Sequence, residues 1–420
     1  MTTVAYIANE FPSPLEPYVI DEVNELRRRG VNVICCSGKR VAPHTLSLGE
    51  RVFWKETLYC EPRSDEELMC AVRRLWSDRR SSRLVFEALV ADRHASISRR
   101  IRTLGHTLMG VALADQLAPL GVHHIHCHHG YFASWMALVA AHCLGIGFSF
   151  TLHGSDLLRR ADFLDAKLRA CSFCFTVSEY NRQYLLHHYP STPSDKVLLR
   201  RLGVDRLPSG ETNLISRSLE HRPFCLLAVG RLHPVKNYSF LIQACVDLRR
   251  QGLDFLCWIV GDGPEQVALS RQIIKLGLHG RVHLVGHVPH ASVSDYYRHA
   301  DLVVMTSRSE GIPVVLMEAM SHGKLVLAPN ITGIPELVEH QKTGFLYDTG
   351  SRASFVSFVR WIQDHQDELE EVRRAATAKV FDSYHRQRNV RAFADSFLAR
   401  IHNSGGEHAY PLLQQVRLSV

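Results

Sequence analysis

The chain alternates short apolar runs of strand length with longer segments of helix length, and the whole pattern occurs twice. Such alternation predicts βαβ units whose parallel strands are covered by helices on both faces. Strands of the first half are predicted at Thr3–Ala8, Val31–Cys36, His124–His128, Phe148–Leu152, Phe173–Val177 and Lys196–Leu199. Those of the second half are predicted at Phe224–Val229, Phe255–Val260, Val282–Val285, Leu302–Thr306, Leu325–Ala328 and Phe345–Tyr347.

Helices are expected between these strands. In the first half they are predicted at Glu16–Arg29, within Asp65–Pro119, and at Phe132–Leu144, Leu157–Ala170 and Glu179–His188. In the second half they are predicted at Tyr238–Gln251, Pro264–Leu276, Ser292–His299, Pro313–Ser321, Ile334–His340 and Arg352–Asp364, with a terminal helix at about Gln387–Ile401.

The polar segment 206–223 interrupts the alternation and is interpreted as a linker. A chain of 420 residues is also too long for one ordinary core. We therefore expect an α/β fold of two facing, doubly wound Rossmann-like domains at 1–205 and 224–385. A helix at 386–402 is expected to pack back on the first domain, followed by a tail at 403–420. Ligands of such sheets bind at the carboxyl ends of the strands, so the expected active site is a cleft between the domains.

The composition and the first residues of the chain indicate a cellular compartment. No apolar run approaches the ~20 residues of a membrane-spanning helix, and Met1–Glu10 lacks the basic and apolar regions of a secretory signal. The eleven cysteines are therefore interpreted as reduced thiols. The lone Cys171-x-x-Cys174 pair cannot complete a four-ligand zinc site. We expect a cytoplasmic protein without a metal site.

Positive charge is concentrated between Ala71 and Arg102, where nine arginines stand against three acidic residues. Solvated helix faces would explain this segment. Alternatively, it binds anionic lipid head groups, which attract each nearby basic residue by ~1 kcal/mol. No nucleic-acid-binding motif accompanies it, so nucleic acid is not an expected partner.

A cationic loop follows the first strand of the second domain. Gly230 permits close backbone approach, and Arg231 and Lys236 flank the start of a helix. Together they are suited to an anion held at helix N-terminal amides, although both cations could simply face solvent.

A carboxylate-bearing segment follows a later strand of the same domain. Glu310 lies in the loop and Glu318 lies in the helix that begins at about Pro313. The amides of Gly311 and Ile312 can point at phosphate or sugar oxygens, and the two carboxylates can accept hydrogen bonds from hydroxyl groups.

Two further loops lie at the same edge of the second sheet. The segment from Gly261 to Glu265 is suited equally to a tight βα turn and to ligand contact. The segment from Pro329 to Glu336 either shapes a sugar pocket or serves only as a connection.

In the first domain, His153 ends a strand and Asp156 opens the following helix. A histidine at this edge can bind a sugar hydroxyl or phosphate, or it can be a satisfied structural residue. Asp156 is a candidate helix cap. The histidines around the strand His124–His128 alternate between its two faces, so only a subset could converge on a metal. His128 is instead interpreted as a polar contact near the cleft.

These motifs together resemble the fourth family of retaining glycosyltransferases. In the second domain the matching residues are Gly230-Arg231-Leu232, Lys236-Asn237, Gly261-Asp262-Gly263-Pro264, Glu310 and Glu318 in an E-x7-E pattern, Gly333-Ile334-Pro335-Glu336 and Gly344-Phe345-Leu346. The first domain is similar to the branch that makes bacterial exopolysaccharides, including colanic acid-type transferases. Its matching residues are Phe11-Pro12, Glu16, Glu22, His126-x-His128 and Thr151-x-His153-x-x-Asp156.

The resemblance implies the GT-B architecture and a role for each residue. Arg231 and Lys236 would bind the diphosphate of a UDP- or GDP-sugar, Glu318 would hold its ribose, and Glu310 would contact sugar hydroxyls. Those four residues would be assisted by Gly230, Gly311 and Ile312, with His153 beside the sugar and with Glu16, His128 and Asp156 on the acceptor side. The acceptor would be a glycan, and no cofactor is implied. The arginine-rich segment Ala71–Arg102 motivates the hypothesis of a lipid-linked glycan acceptor and of a protein bound peripherally at the inner face of the plasma membrane.

The residues also suggest a mechanism. No Asp-x-Asp follows a strand, so cationic side chains and helix dipoles are expected to stabilise the departing diphosphate. No pair of carboxylates is placed for double displacement, so attack on the face that the leaving group departs from, with retention, is the working hypothesis. An epimerase or a glycan phosphorylase on the same plan, and a non-catalytic module that binds nucleotide-sugar, are the alternatives.

Overall fold

The computed structural model describes residues 1–14, 16–61, 64–77, 97–158, 163–205 and 222–403. The chain divides into two compact units. The first comprises Met1–Arg200 together with the chain from Val390 onward, and the second comprises Arg201–Asn389. Most of the expected linker (206–221) and nearly all of the expected tail (404–420) lie outside the described residues.

The first unit contains a seven-stranded parallel sheet in the order β3-β2-β1-β4-β5-β6-β7. Its strands are β1 Thr3–Ala8, β2 Asn32–Ser37, β3 Leu58–Tyr59, β4 His124–His128, β5 Gly147–Leu152, β6 Phe173–Thr176 and β7 Val197–Leu199. The described helices of this part are α1 Pro17–Arg28, α2 Leu48–Glu56, α3 Asp65–Ser77, α4 Ile97–Leu117, α5 Phe132–Leu144, α6 Ser155–Leu158, α7 Leu164–Ala170 and α8 Glu179–His188.

The second unit contains a six-stranded parallel sheet in the order β10-β9-β8-β11-β12-β13. Its strands are β8 Phe224–Val229, β9 Phe255–Val260, β10 Val282–Gly286, β11 Leu302–Val304, β12 Leu325–Pro329 and β13 Phe345–Tyr347. The helices that follow the first of these strands are α9 Tyr238–Arg250, α10 Gln266–Lys275, α11 His290–His299, α12 Val314–Ser321, α13 Ile334–Leu337, α14 Arg352–Asp364, α15 Glu370–Ser383 and α16 Arg386–Asn403.

The predicted pair of doubly wound sheets is confirmed. In each sheet the strand order reverses once, between β1 and β4 and between β8 and β11. Loops diverge at such a switch point and leave a crevice at the carboxyl ends of the strands, which is where ligands of this fold bind. Each reversal therefore places the expected ligand-binding crevice at the carboxyl ends of the strands of its sheet.

Three elements were not predicted, and each buries little apolar surface. Helix α2 has no buried residue and is fixed by a capping box in which Ser47 and Glu50 bond each other's backbone amides. Strand β3 is only two residues long. Helix α15 buries only Ala376 and Val380, too narrow a stripe to give a periodic signal.

The last helix, α16, begins in the second unit and continues in the first. Phe393 and Phe397 are buried in the first unit, where Phe397 lies 5.3 Å from the ring of His126. Across the described ranges, no helix is both long enough and apolar enough to span a bilayer.

Candidate functional site

The switch point of the second sheet carries the cationic and acidic loops predicted from the sequence. The loop after β8 and the loop after β11 are tied together by two hydrogen bonds. The amide of Arg308 donates to the carbonyl of Val235 at 2.8 Å, and the hydroxyl of Thr306 donates to the carbonyl of Lys236 at 2.8 Å. These bonds fix Lys236 beside the segment that bears Glu310.

Lys236 and Glu310 form an ion pair. Nζ of Lys236 lies 2.7 Å from Oε1 of Glu310, and the two side chains are 22% and 14% exposed. Arg231 is exposed, and no ion-pair partner for it is found in the described parts of the chain. The structure therefore presents one cation already matched by a carboxylate and a second cation open to an anion.

Backbone atoms of neighbouring loops touch directly at this edge. A Cβ atom on Gly333 would lie 2.0 Å from the carbonyl oxygen of Gly311, and one on Gly261 would lie 2.2 Å from that of Gly230. Real Cβ contacts are essentially never shorter than 3.0 Å. Glycine is thus required at both positions for the loops to pack this closely.

The hydroxyl of Thr332 donates to the carbonyl of Glu310 at 2.6 Å, which secures that loop. Gly311 and Ile312 are buried directly before helix α12. The hydroxyl oxygens of Ser307 and Ser309 are buried without a hydrogen-bond partner in the described structure. Buried polar groups are usually paired, so unpaired donors here are consistent with a ligand-binding loop.

Both oxygens of the Glu318 carboxylate are engaged. Nε2 of His290 lies 2.8 Å from Oε1, and the hydroxyl of Tyr297 donates to Oε2 at 2.8 Å. Burial raises the pKa of Tyr297, and the carboxylate of Glu318 raises it further. The hydrogen bond to Glu318 raises the pKa of His290. Sequence reasoning missed both partners, because the helix α11 that carries them lies 21 to 28 residues before Glu318 in the chain.

In the first unit, strand β4 presents three histidines on one face. Nε2 of His124 and Nδ1 of His126 lie 2.7 and 2.8 Å from the hydroxyl oxygen of Ser149, and Nε2 of His126 lies 3.1 Å from that of Thr151. The register pairs His126 with Ser149 and His128 with Thr151, so hydroxyl groups of β5 stand beside the histidines of β4.

His128 continues this row to His153. Nδ1 of His128 lies 3.0 Å from Nε2 of His153, while Nε2 of His128 lies 3.0 Å from both Oε2 of Glu22 and the hydroxyl oxygen of Tyr6. The Tyr6 hydroxyl also donates to Glu22. His128 on β4, His153 in the loop after β5, Tyr6 on β1 and Glu22 on α1 therefore form one hydrogen-bonded cluster.

His129 lies between two carboxylates. Its Nε2 lies 2.7 Å from Oε1 of Glu16, and its Nδ1 lies 3.6 Å from Oδ2 of Asp156. Although burial opposes a charged imidazole, Glu16 and Asp156 raise the pKa of His129 to about 10. Burial likewise opposes ionisation of Glu16 and Asp156, yet His129 lowers the pKa of both. Near neutral pH the three groups form a charged triad.

Two of the residues predicted on the acceptor side are buried. His128 and Asp156 have no exposed surface. Asp156 accepts hydrogen bonds from the amides of His153, Gly154 and Gly130 at 2.7 to 3.2 Å, which shapes the loops after β4 and β5. Glu16 remains 23% exposed, and His153 is partly exposed.

One group of potential metal donors occurs in the described residues, namely Glu22, His126 and His128, whose ligand atoms lie within 4.8 Å of one another. Each of these side chains already has hydrogen-bond partners in the protein. A hydrogen-bonded network accounts for the cluster.

Comparisons with known proteins agree with this architecture. Residues 15–206 match the family model described as Glycosyltransferase Family 4, and residues 211–379 match the one described as Glycosyl transferases group 1. The chain is similar to the amylovoran biosynthesis glycosyltransferase AmsK of Erwinia amylovora, with 32% identity over 48% of this chain and 51% of AmsK. It is also similar to WcaL of Escherichia coli K12, named for colanic acid biosynthesis, with 33% identity over 46% of this chain and 49% of WcaL. The chain thus spans about half the length of the curated relatives it matches.

Two solved structures show the same fold. Anabaena Alr3699/HepE in complex with UDP-glucose aligns with a TM-score of 0.70 and 18% identity, over 95% of this chain and 100% of that one. Sucrose-phosphate synthase from Thermosynechococcus elongatus aligns with a TM-score of 0.72 and 16% identity, over 96% and 100% of the two chains. With a family model matching each half in turn and both sheets doubly wound, the chain belongs to glycosyltransferase family 4 and has the GT-B fold.

Proposed function

We propose that this protein transfers a hexose-type sugar from a UDP- or GDP-sugar to a glycan or lipid-linked glycan during surface polysaccharide biosynthesis, with retention of anomeric configuration and without a catalytic metal. The observation that carries the proposal is the arrangement of Arg231, Lys236 and Glu310 at the switch point of the second sheet. The names of AmsK and WcaL support the biosynthetic setting.

The cationic loop is suited to a nucleoside diphosphate. Arg231 is open to solvent and can make two parallel hydrogen bonds to phosphate oxygens. Lys236 is held by Glu310 and can be shared with an incoming diphosphate, whose charge grows as the sugar departs. Preorganised cations of this kind stabilise the leaving group in the transition state.

The two carboxylates are suited to hydroxyl groups. Glu318 is fixed by His290 and Tyr297 and can still accept hydrogen bonds from a ribose, because each carboxylate oxygen has two lone pairs. Glu310, beside the buried Gly311 and Ile312, would face the transferred sugar. The UDP-glucose complex of HepE makes a uridine donor the first one to test.

A lipid-linked acceptor is suggested by the surface near the arginine-rich segment. Within Ala71–Arg102 the structure describes residues 71–77 and 97–102. Arg79, Arg80, Arg83 and Arg93 lie outside the described residues. Ile97 and Ile101 are 78% and 64% exposed, next to the exposed Arg102. Exposed apolar and basic side chains together favour peripheral binding to anionic membranes.

Thermal-shift measurements with UDP, GDP, ADP and TDP test the donor site first. A ligand that binds only the folded protein stabilises it by ~2.7 kcal/mol at a 100-fold excess over its dissociation constant. We expect one diphosphate to raise the melting temperature, Arg231→Ala to weaken the shift, and Lys275→Ala, at an exposed lysine outside the site, to preserve it. The absence of a shift with every diphosphate would refute the proposed donor site.

Product analysis then tests the reaction. NMR of the product formed from the identified donor is expected to show the donor's anomeric configuration, and EDTA is expected to leave turnover unchanged. An inverted product would refute the retaining mechanism. Binding without turnover over a panel of acceptors would favour a binding module, and donor consumption without an acceptor would favour an epimerase.

A further inference from the structure

A continuous chain of hydrogen bonds runs from the buried carboxylate of Glu22 to His153, at the carboxyl end of strand β5 in the first sheet. Oε2 of Glu22 lies 3.0 Å from Nε2 of His128, and Nδ1 of His128 lies 3.0 Å from Nε2 of His153. Glu22 is 5% exposed and His128 is fully buried, whereas His153 is partly exposed. His153 is therefore the only member of this hydrogen-bond chain that a ligand can contact.

The order of donors and acceptors in this chain follows from its buried end. An ionised carboxylate only accepts hydrogen bonds. The hydroxyl of Tyr6 donates to Oε2 of Glu22, and Nε2 of His128 lies 3.0 Å from the same oxygen. A neutral His128 beside this carboxylate acceptor carries its proton on Nε2, and its Nδ1 is an acceptor.

The same argument extends to His153. Because Nδ1 of His128 must accept, Nε2 of His153 must donate. A neutral imidazole carries one proton, so Nδ1 of His153 is left as an acceptor. No protein group among the described residues bonds to that nitrogen.

Neighbouring rings hold His153 neutral and in place. Tyr18 stacks on the imidazole at 4.9 Å between ring centroids, and the charged His129 lies 4.3 Å from it. Burial lowers the pKa of His153 well below its usual value, and the charged His129 lowers it further, while Asp156 acts in the opposite direction. Protonation of Nδ1 near neutral pH is thus opposed by the surroundings.

We propose that Glu22 and His128 are positioning residues that fix the tautomer of His153, so that its Nδ1 accepts a hydrogen bond from a hydroxyl group of the bound sugar or acceptor. This inference rests on the proposed transferase function for the identity of the ligand, but the tautomer itself does not depend on it. The hydrogen-bond chain also gives a role to the histidine-rich strand β4 and to the buried Glu22 of the first unit.

NMR of the full chain labelled with ¹⁵N-histidine tests the tautomer, with His153→Gln used to assign the resonances. We expect a protonated Nε2 and a non-protonated Nδ1 for His153 between pH 6.5 and 8. A protonated Nδ1, or an average of the two tautomers, would overturn the inference even if Glu22→Gln failed to fold.

Two variants test the role of this hydrogen-bond chain. Glu22→Gln replaces an acceptor-only group with one that can also donate, and we expect mixed tautomers of His153 and a fall in kcat of about 10- to 100-fold with little change in the KM for donor. Ser149→Ala is the matched control, because it removes a buried hydroxyl that contacts His124 and His126 but neither His128 nor His153. Equal losses in both variants would reduce the effect to general destabilisation and refute the positioning role.

The two hypotheses fail separately. If Nδ1 is non-protonated but no donor supports transfer, the proposed function is wrong and the tautomer assignment stands. If transfer occurs while Nδ1 is protonated, the tautomer inference alone is wrong.

Discussion

Gly333→Ala provides a direct test of the loop packing that positions Glu310. The backbone of Gly333 has φ −82° and ψ −3°, which alanine adopts without strain. The added Cβ would lie 2.0 Å from the carbonyl oxygen of Gly311, whereas an ordinary contact begins at 3.4 Å. The loop that bears Gly311 and Glu310 must therefore move by about 1.4 Å, the difference between those two distances.

A displacement of this size should affect activity more than stability. A misplacement of about 1 Å can cost about 10²-fold in rate, so we expect kcat/KM to fall by about two orders of magnitude. Overpacking costs about 1–3 kcal/mol, and each kcal/mol lowers the melting temperature of a domain of this size by about 2–4 °C. Steady-state kinetics and differential scanning calorimetry would measure the two effects.

Gly280→Ala is the matched control, because nothing lies within 4 Å of a Cβ at that position and the residue is in the same unit. Its kinetics and melting temperature should stay close to those of the parent protein. Turnover of Gly333→Ala within a fewfold of the parent value would refute the claim that contact between these loops positions Glu310.

Three further predictions follow from individual side chains. Lys236→Met should lower kcat about 10²–10³-fold, as expected when one group that stabilises transition-state charge is lost. Lys275→Met is the control, and equal turnover of the two variants in steady-state assays would contradict this role. Glu318→Gln should mainly raise the dissociation constant for the nucleoside diphosphate, because the contact between Glu318 and the ribose is made both before and during the reaction. Calorimetry measures this constant, and unchanged affinity would contradict the ribose assignment. His129 has a folded-state pKa of about 10, above its unfolded value, so the stability it contributes is complete below about pH 6.5 and is lost as pH rises toward 10. Denaturation should show the unfolding free energy falling by about 1.4 kcal/mol per pH unit across that range, and the same slope in His129→Gln would show that another group is responsible.

Much of the fold was predictable because parallel sheets of this type carry a local signal. Most strands buried on both faces are continuous apolar runs. Five strands, Thr3–Ala8, His124–His128, Phe224–Val229, Phe255–Val260 and Phe345–Tyr347, were predicted with the bounds found in the structure. Elements that bury little, such as α2 and β3, leave no such pattern and were missed.

The sequence by itself determined which residue types stand at the ends of the strands, and hence that Lys236 and Glu310 belong to the same edge of the second sheet. Proximity in space was decided only by the tertiary structure, because hydrogen bonds between loops, rather than spacing along the chain, bring these side chains to 2.7 Å. Burial was likewise decided by packing. His128, predicted to touch a ligand, is enclosed by neighbouring strands and by α1, so that only His153 reaches the edge.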